Sequence, residues 1–238
     1  MSRVEKGLLD FATEADVESE HAVLEVLRAQ RPDDAVLGEE TGLSGPPTAP
    51  RQWFIDPLCG TANFAAGTRT VAVNVALMAG RRNLAAAVAD PFADELYWTD
   101  GSKAGVTIAG RQSDLKPDPA TRLVELNFDT SIPSPTAFHT ARLVIDASFL
   151  SRFRPRALST SLALTWVAAG RRAAYVSDGD IREKEVHFAA GRAICEAAGC
   201  IVTDLRGRPW QDGGAGMIVA ANAETHRALV AIVRPYLR

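Results

Sequence analysis

Three groups able to do chemistry crowd into residues 53–64, Trp-Phe-Ile-Asp-Pro-Leu-Cys-Gly-Thr-Ala-Asn-Phe: the carboxylate of Asp56, the thiol of Cys59 and the hydroxyl of Thr61. Elsewhere the chain offers Asp16, the acidic pair Glu39-Glu40, and His187 in the run Val-His-Phe-Ala-Ala-Gly at 186–191. Clustered carboxylates hold hard cations such as Mg²⁺, which neutralise phosphoryl oxygens and make a bound water nucleophilic. Thiolate and imidazole are softer donors and suit Zn²⁺ or iron. A thiol beside an imidazole has a second use, as a nucleophile with its base. The three cysteines, Cys59, Cys195 and Cys200, form neither a metal-finger spacing nor a disulfide framework.

These groups need elements to hold them. Thr13 followed by Asp16 resembles a helix cap, and Val17, Val23, Leu24 and Leu27 recur at helical spacing, which predicts a helix over 14–30. Asp33 and Asp34 mark a turn, and the Pro- and Gly-rich residues 44–50 a loop. Trp53–Ile55 reads as a short buried strand leading into the reactive segment. Thr70–Met78 and Leu84–Asp90 read as strands around the turn at 80–83, with another at Glu95–Trp98. Beyond Leu123, helices are expected at 136–147, 159–169, 186–198 and 223–236. Apolar strands at Ala173–Val176, Ile201–Thr203 and Met217–Ala220 lie between them. The expected class is mixed α/β in layers. Residues 1–120 form an N-terminal half with the acidic and thiol motifs, and 121–238 a C-terminal half with the histidine motif.

The segment 53–64 resembles the signature W-x-I-D-P-[LI]-D-G-T-x-N-F of the inositol monophosphatase superfamily. Further ordered matches cover almost the whole chain. Asp10-Phe-Ala-Thr-Glu-Ala-Asp16 is similar to D-x-V-T-x-x-D, Gly38-Glu39-Glu40 to G-E-E, and Asp90–Tyr97 to D-P-x-x-D-E-L-[FY]. Trp166–Arg171, Phe188–Gly191 with Glu196–Gly199, Asp204–Gly207 and Ala220–Asn222 follow the later motifs in order. The resemblance implies an αβαβα layered sandwich, here starting without the family's usual first helix. It also implies site roles. Glu39, Asp56 and the Leu58 carbonyl would hold a first metal. Asp16 and Thr61 would orient the attacking water. The backbone amides of Gly60 and Thr61 would hold the phosphate.

Two departures fall on the family's second metal. Its second signature aspartate is Cys59 here, and the aspartate of W-D-x-A-A-G is His187. The acidic polyol contact after the strand at 173–176 falls near Ser177, followed by a charged insertion from Asp178 to Lys184, and the G-S-x-x-x-D-L helix start is altered to Leu158–Leu164. Three readings follow. The preferred one is an enzyme of small-molecule metabolism, with secondary metabolism as one option. Cys59 is its nucleophile, with a pKa lowered by a helix N-terminus, His187 its base and Asp56 the orienting group. Gly60 and Thr61 serve as an oxyanion hole for acyl transfer, hydrolysis or cyclisation. Under it the two-metal site is lost and ordinary inositol-phosphate hydrolysis disfavoured. The second reading is a metal-dependent phosphatase on a small sugar or polyol phosphate. It keeps one residual divalent metal: Mg²⁺, or Zn²⁺ or iron if Cys59 and His187 are ligands. The third is a non-catalytic anion- or partner-binding protein.

With 23% charged residues, 47% apolar residues and a net charge of −3, the chain has an ordinary globular balance and no basic surface for nucleic acid. Its charged start lacks a signal-peptide core, and its apolar runs are too short to span a membrane. A cytoplasmic protein is expected, with a small-molecule substrate. An apolar face uncovered by the absent helix predicts a homodimer. The alternating Arg152, Arg154 and Arg156 read as a solvated strand face.

Overall fold

A computed structural model of the chain describes residues 3–7, 10–128, 138–179, 185–212 and 214–237. The chain opens with a hairpin, β1 (Arg3–Gly7) and β2 (Asp10–Thr13), and no helix precedes Glu14 among the described residues. Helix α1 follows at Glu14–Gln30, over the predicted span. Then come β3 (Ala35–Gly38), β4 (Gly42–Ser44), β5 (Gln52–Cys59) and the short helix α2 (Thr61–Ala65). A meander of β6 (Ala72–Ala79), β7 (Arg82–Asp90), β8 (Glu95–Thr99), β9 (Ala104–Ile108) and β10 (Arg111–Asp114) completes an eight-stranded sheet. Its order is β10-β9-β8-β7-β6-β5-β3-β4, antiparallel except where β3 runs parallel to β5.

The later chain supplies β11 (Leu123–Leu126), α3 (Ala147–Leu150), β12 (Arg154–Ala157), α4 (Leu162–Ala168) and β13 (Ala174–Ser177). It continues with α5 (Glu185–Ala197), β14 (Ile201–Thr203), β15 (Met217–Ala220) and α6 (Ala223–Val233). The strands form a second sheet in the order β12-β11-β13-β15-β14.

Apolar faces dictate the layers. Leu24 and Leu27 of α1 pack on Val36 and Ile55, covering one face of the large sheet. The opposite face carries Ala72, Ala76 and Val88 and meets α4 and α5, whose Leu164, Val167, Ala189 and Ile194 are wholly buried. The far side of α4 and α5 packs on the small sheet, and α6 closes the stack through Leu229 and Val233. The result is the expected αβαβα sandwich, with one core shared by both halves.

The structure differs from expectation where patterning is weak. β12 and β10 are polar edge strands, Arg-Pro-Arg-Ala and Arg-Gln-Ser-Asp, without alternation to mark them. Exposed Arg154 and Arg156 do lie on a strand, and their guanidinium groups donate to nearby carbonyls. The helix expected over 136–147 is a 3₁₀ turn at Thr140–Val144 followed by α3, capped by the Asp146 side chain on the Phe149 amide; residues 136 and 137 lie outside the described residues. The last helix ends at Val233 and becomes a 3₁₀ turn, because Pro235 cannot donate to a carbonyl one turn back.

Candidate active site

The site grows out of a defect in β5. Asp56 pairs with Asn74 and Cys59 with Ala72, so three steps along β5 match two along β6. The extra residue is a bulge at Pro57-Leu58, and Pro57 has no N–H to give the ladder. In a regular strand, residues three apart face opposite sides. The bulge brings Asp56 and Cys59 to the same side, facing α5.

His187, in the first turn of α5, completes the cluster. One donor atom each from Asp56, Cys59 and His187 lies within 4.8 Å of the others. His187 Nδ1 is 2.7 Å from Asp56 Oδ2 and 3.9 Å from Glu39 Oε2, so both carboxylates converge on one ring nitrogen. Asp56 is fully buried. Its Oδ2 also accepts a bond from Asn74 Nδ2 at 3.1 Å, while its Oδ1 has no hydrogen-bond partner. The Ser161 amide donates to Cys59 Sγ at 3.2 Å, and the Ser161 hydroxyl donates to Asn74 Oδ1 at 2.6 Å. One linked set of bonds therefore holds both Cys59 and Asp56.

A second set lies on the other side of the bulge. Asp16 Oδ2 accepts from the amide and hydroxyl of Thr13 at 2.8 and 2.6 Å, the capping box that starts α1. Its Oδ1 accepts from Thr61 Oγ1 at 2.8 Å, and that hydroxyl is 3.2 Å from the Leu58 carbonyl. Gly60 caps α2 with φ +107°, a left-handed conformation, and any Cβ there would meet the Thr70 carbonyl at 2.9 Å. Having no side chain, Gly60 leaves the first amides of α2 uncapped by any group of its own.

The structure thus brings Asp16, Leu58, Gly60 and Thr61 together on one side of the bulge, and Asp56, Cys59, His187 and Glu39 on the other. Ser177 is placed differently. It is buried at the end of β13, where its hydroxyl accepts from the Gly179 amide. Much of the insertion after it lies outside the described residues, but Asp178 is buried and accepts from the Thr140 hydroxyl at 2.9 Å.

Sequence reasoning missed three supporting residues. Glu20, fully buried on α1, accepts the Glu40 and Thr41 amides at 2.9 and 2.8 Å and so fixes the turn bearing Glu39. A Cβ on Gly38 would strike that carboxylate. Asn74 and Ser161 hold Asp56 and Cys59 as described. The signal for Asn74 was present: an amide at a core-facing position of an apolar strand demands a polar partner.

The electrostatics give the thiol mechanism no support. Cys59 ends a strand and is not on the first turn of α2. Burial, and then the Asp56 carboxylate, push its thiol pKa up; contact with His187 and the Ser161 amide only offsets this in part. Burial opposes charge on His187, but its bonds to Asp56 and Cys59 outweigh that and push its pKa up to about 11. Burial thus keeps the thiol protonated near neutral pH and gives it no lowered pKa from a helix N-terminus.

Comparison with known proteins points the same way. The Inositol monophosphatase family matches residues 1–238. A fructose-1,6-bisphosphatase/inositol-1-monophosphatase from Aquifex aeolicus is 31% identical over 98% of this chain and 85% of its own. The Nus factor SuhB of Pseudomonas aeruginosa is 32% identical over 98% and 86%. The SuhB structure from Bartonella henselae superposes with a TM-score of 0.83 at 23% identity, covering 98% of this chain and 88% of that one. The chain belongs to the inositol monophosphatase family, a family of phosphatases that use divalent metals. Relatives named for phosphatase activity across nearly the whole chain leave Cys59 acyl transfer, with Gly60 and Thr61 as an oxyanion hole, without support. They give no ground for disfavouring ordinary inositol monophosphatase activity or for a lost metal site, and ligand-capable groups still converge on Asp56.

Proposed function

We propose that the protein is a metal-dependent phosphatase acting on a small sugar or polyol phosphate. The observation that carries this reading is the buried Asp56 Oδ1, a carboxylate oxygen with no hydrogen-bond partner, on a residue that converges with Glu39 on His187 Nδ1. Leaving such an atom unpaired costs about 1–3 kcal/mol, and a cation is the natural partner for it. Glu39, Asp56 and Leu58 offer hard oxygen donors of the kind Mg²⁺ takes. A divalent ion held there would neutralise phosphoryl oxygens and acidify a water.

The chain's own residues do the rest. Thr13 pins Asp16, and Asp16 fixes the Thr61 hydroxyl as a donor. The Thr61 oxygen is then able to accept a hydrogen bond from the attacking water and orient it. The amides of Gly60 and Thr61 suit phosphate oxygens. The names of the relatives, inositol-1-monophosphatase and fructose-1,6-bisphosphatase, support a phosphorylated polyol or sugar as substrate.

The test is phosphate release from inositol 1-phosphate, fructose 1,6-bisphosphate and p-nitrophenyl phosphate. Each is assayed with Mg²⁺, Mn²⁺, Co²⁺ and Zn²⁺ in turn, and again with Asp56→Asn. Release that needs a divalent metal and falls in Asp56→Asn supports the reading. No release with any metal overturns it.

A further inference from the structure

We infer that the Asp56–Cys59–His187 face selects a transition metal of the zinc class over Mg²⁺. This rests on the phosphatase reading for its catalytic meaning, and on geometry for the binding itself. Mg²⁺ demands near-octahedral oxygen and loses water reluctantly, so a sulfur and a ring nitrogen serve it badly. Zn²⁺ takes thiolate, imidazole and carboxylate together, and three protein ligands with an open fourth position is its usual catalytic arrangement. This face supplies that number and mixture of donors, within 4.8 Å of one another.

Two further observations show a built site. The first is Asp56 Oδ1, buried and without a hydrogen-bond partner, on the residue that faces both Cys59 and His187. The second is the support around the donors. The Ser161 N–H points at Cys59 Sγ, as an amide does toward a thiolate. The Ser161 hydroxyl holds Asn74, and Asn74 holds Asp56 Oδ2. Outer bonds of this kind orient metal ligands. His187 Nδ1 now bonds Asp56 Oδ2; on binding, the ring exchanges its proton for the metal, and the thiol releases its own. Glu39 Oε2 lies 3.9 Å from His187 Nδ1, at the edge of the cluster.

The test uses the full chain, stripped with chelator and titrated with Co²⁺, which reports thiolate ligation by an intense near-ultraviolet charge-transfer band. The expected result is one such band, saturating at one ion per chain, displaced by Zn²⁺ and untouched by excess Mg²⁺. Cys59→Ser should abolish it, and His187→Gln should weaken Co²⁺ binding by at least roughly tenfold. Circular dichroism checks that each variant folds. The double variant Cys59→Asp with His187→Asp, an all-oxygen set, should lose the band and gain Mg²⁺ affinity. Absence of the band, or a band unchanged in Cys59→Ser, overturns the inference. If phosphatase activity then persists with Mg²⁺, the proposed function stands without it. A Cys59-dependent band in a protein that hydrolyses no phosphate with any metal supports the inference and removes the proposed function.

Discussion

The two sides of the bulge in β5 are built in different ways. On the Asp16–Thr61 side, most bonds are local: Thr13 with Asp16, and Thr61 with Leu58, each three residues apart. One longer bond, from Thr61 to Asp16, ties them together. All the side-chain groups are oxygen. On the Cys59–His187 side, the partners are far apart in sequence, 131 residues from His187 to Asp56 and 102 from Ser161 to Cys59, and the donors are mixed. Under the proposed function the first side would orient the attacking water, while the second carries a thiol and an imidazole where the family has carboxylates. Under that proposal such a site can alter its metal and keep its reaction, provided Asp56, the carboxylate that both the phosphatase reading and the mixed cluster call on, stays in place.

The sharpest way to break this comparison is to remove what is common. Asp56→Asn should lower kcat/KM for phosphate release by on the order of a thousandfold, the scale of losing a central electrostatic group. It should also weaken cobalt uptake. Loss of one property without the other would show that Asp56 serves one side only.

Thr61→Ala addresses the oxygen side alone. Steady-state kinetics should show kcat reduced by about a hundredfold, with cobalt affinity in the untreated range. If cobalt affinity falls in parallel, the two sides are not separable.

The mixed side should reveal itself in pH-dependent stability. In the metal-free protein, His187 keeps its proton to about pH 11, against an ordinary value of 6.5. The folded state holds that proton more tightly, so the stabilisation is complete below pH 6.5 and is lost as pH rises toward 11. Cys59, also raised, adds to the loss above its ordinary value of 9.0. Urea unfolding between pH 6.5 and 9 isolates the histidine: the fall should be present in the wild type, absent in His187→Gln, and suppressed by saturating Zn²⁺. A flat profile in the metal-free wild type would mean that His187 is neutral there.

The same contrast explains what the sequence made legible. The layered fold followed from helical spacing in α1 and from short apolar strands, since burial of one face imposes its period on the residues. Thr61 and Asp16 were paired through the family resemblance, and a hydrogen bond joins them in the structure. Cys59 and His187 were brought together through the same resemblance, and their chemistry was misjudged. Burial and the Asp56 carboxylate decide both pKa shifts, and neither is visible in a linear string. Glu20 and Ser161 escaped notice for a related reason. A buried Glu on a helix reads as a surface residue until the turn it holds is folded against it, and the useful atom of Ser161 toward Cys59 is its backbone N–H, which every residue type has.

The smallest effect discriminates most finely. Ser161→Ala leaves that N–H on Cys59 Sγ and deletes the hydroxyl bonded to Asn74 Oδ1. Asn74 Oδ1 then loses its donor in a buried place, at a cost of about 1–2 kcal/mol in chemical unfolding. If Asn74 aims Asp56 at the metal, cobalt affinity should fall by roughly tenfold as well, while kcat per bound metal holds. Reduced stability with unaltered cobalt affinity would assign Asn74 a packing role and leave Cys59 and His187 to position the metal by themselves. The oxygen side provides the control. Thr13→Ala removes a comparable hydroxyl from Asp16, and it should lower stability and kcat without moving cobalt affinity, because Asp16 meets the site through Thr61 and not through the mixed cluster.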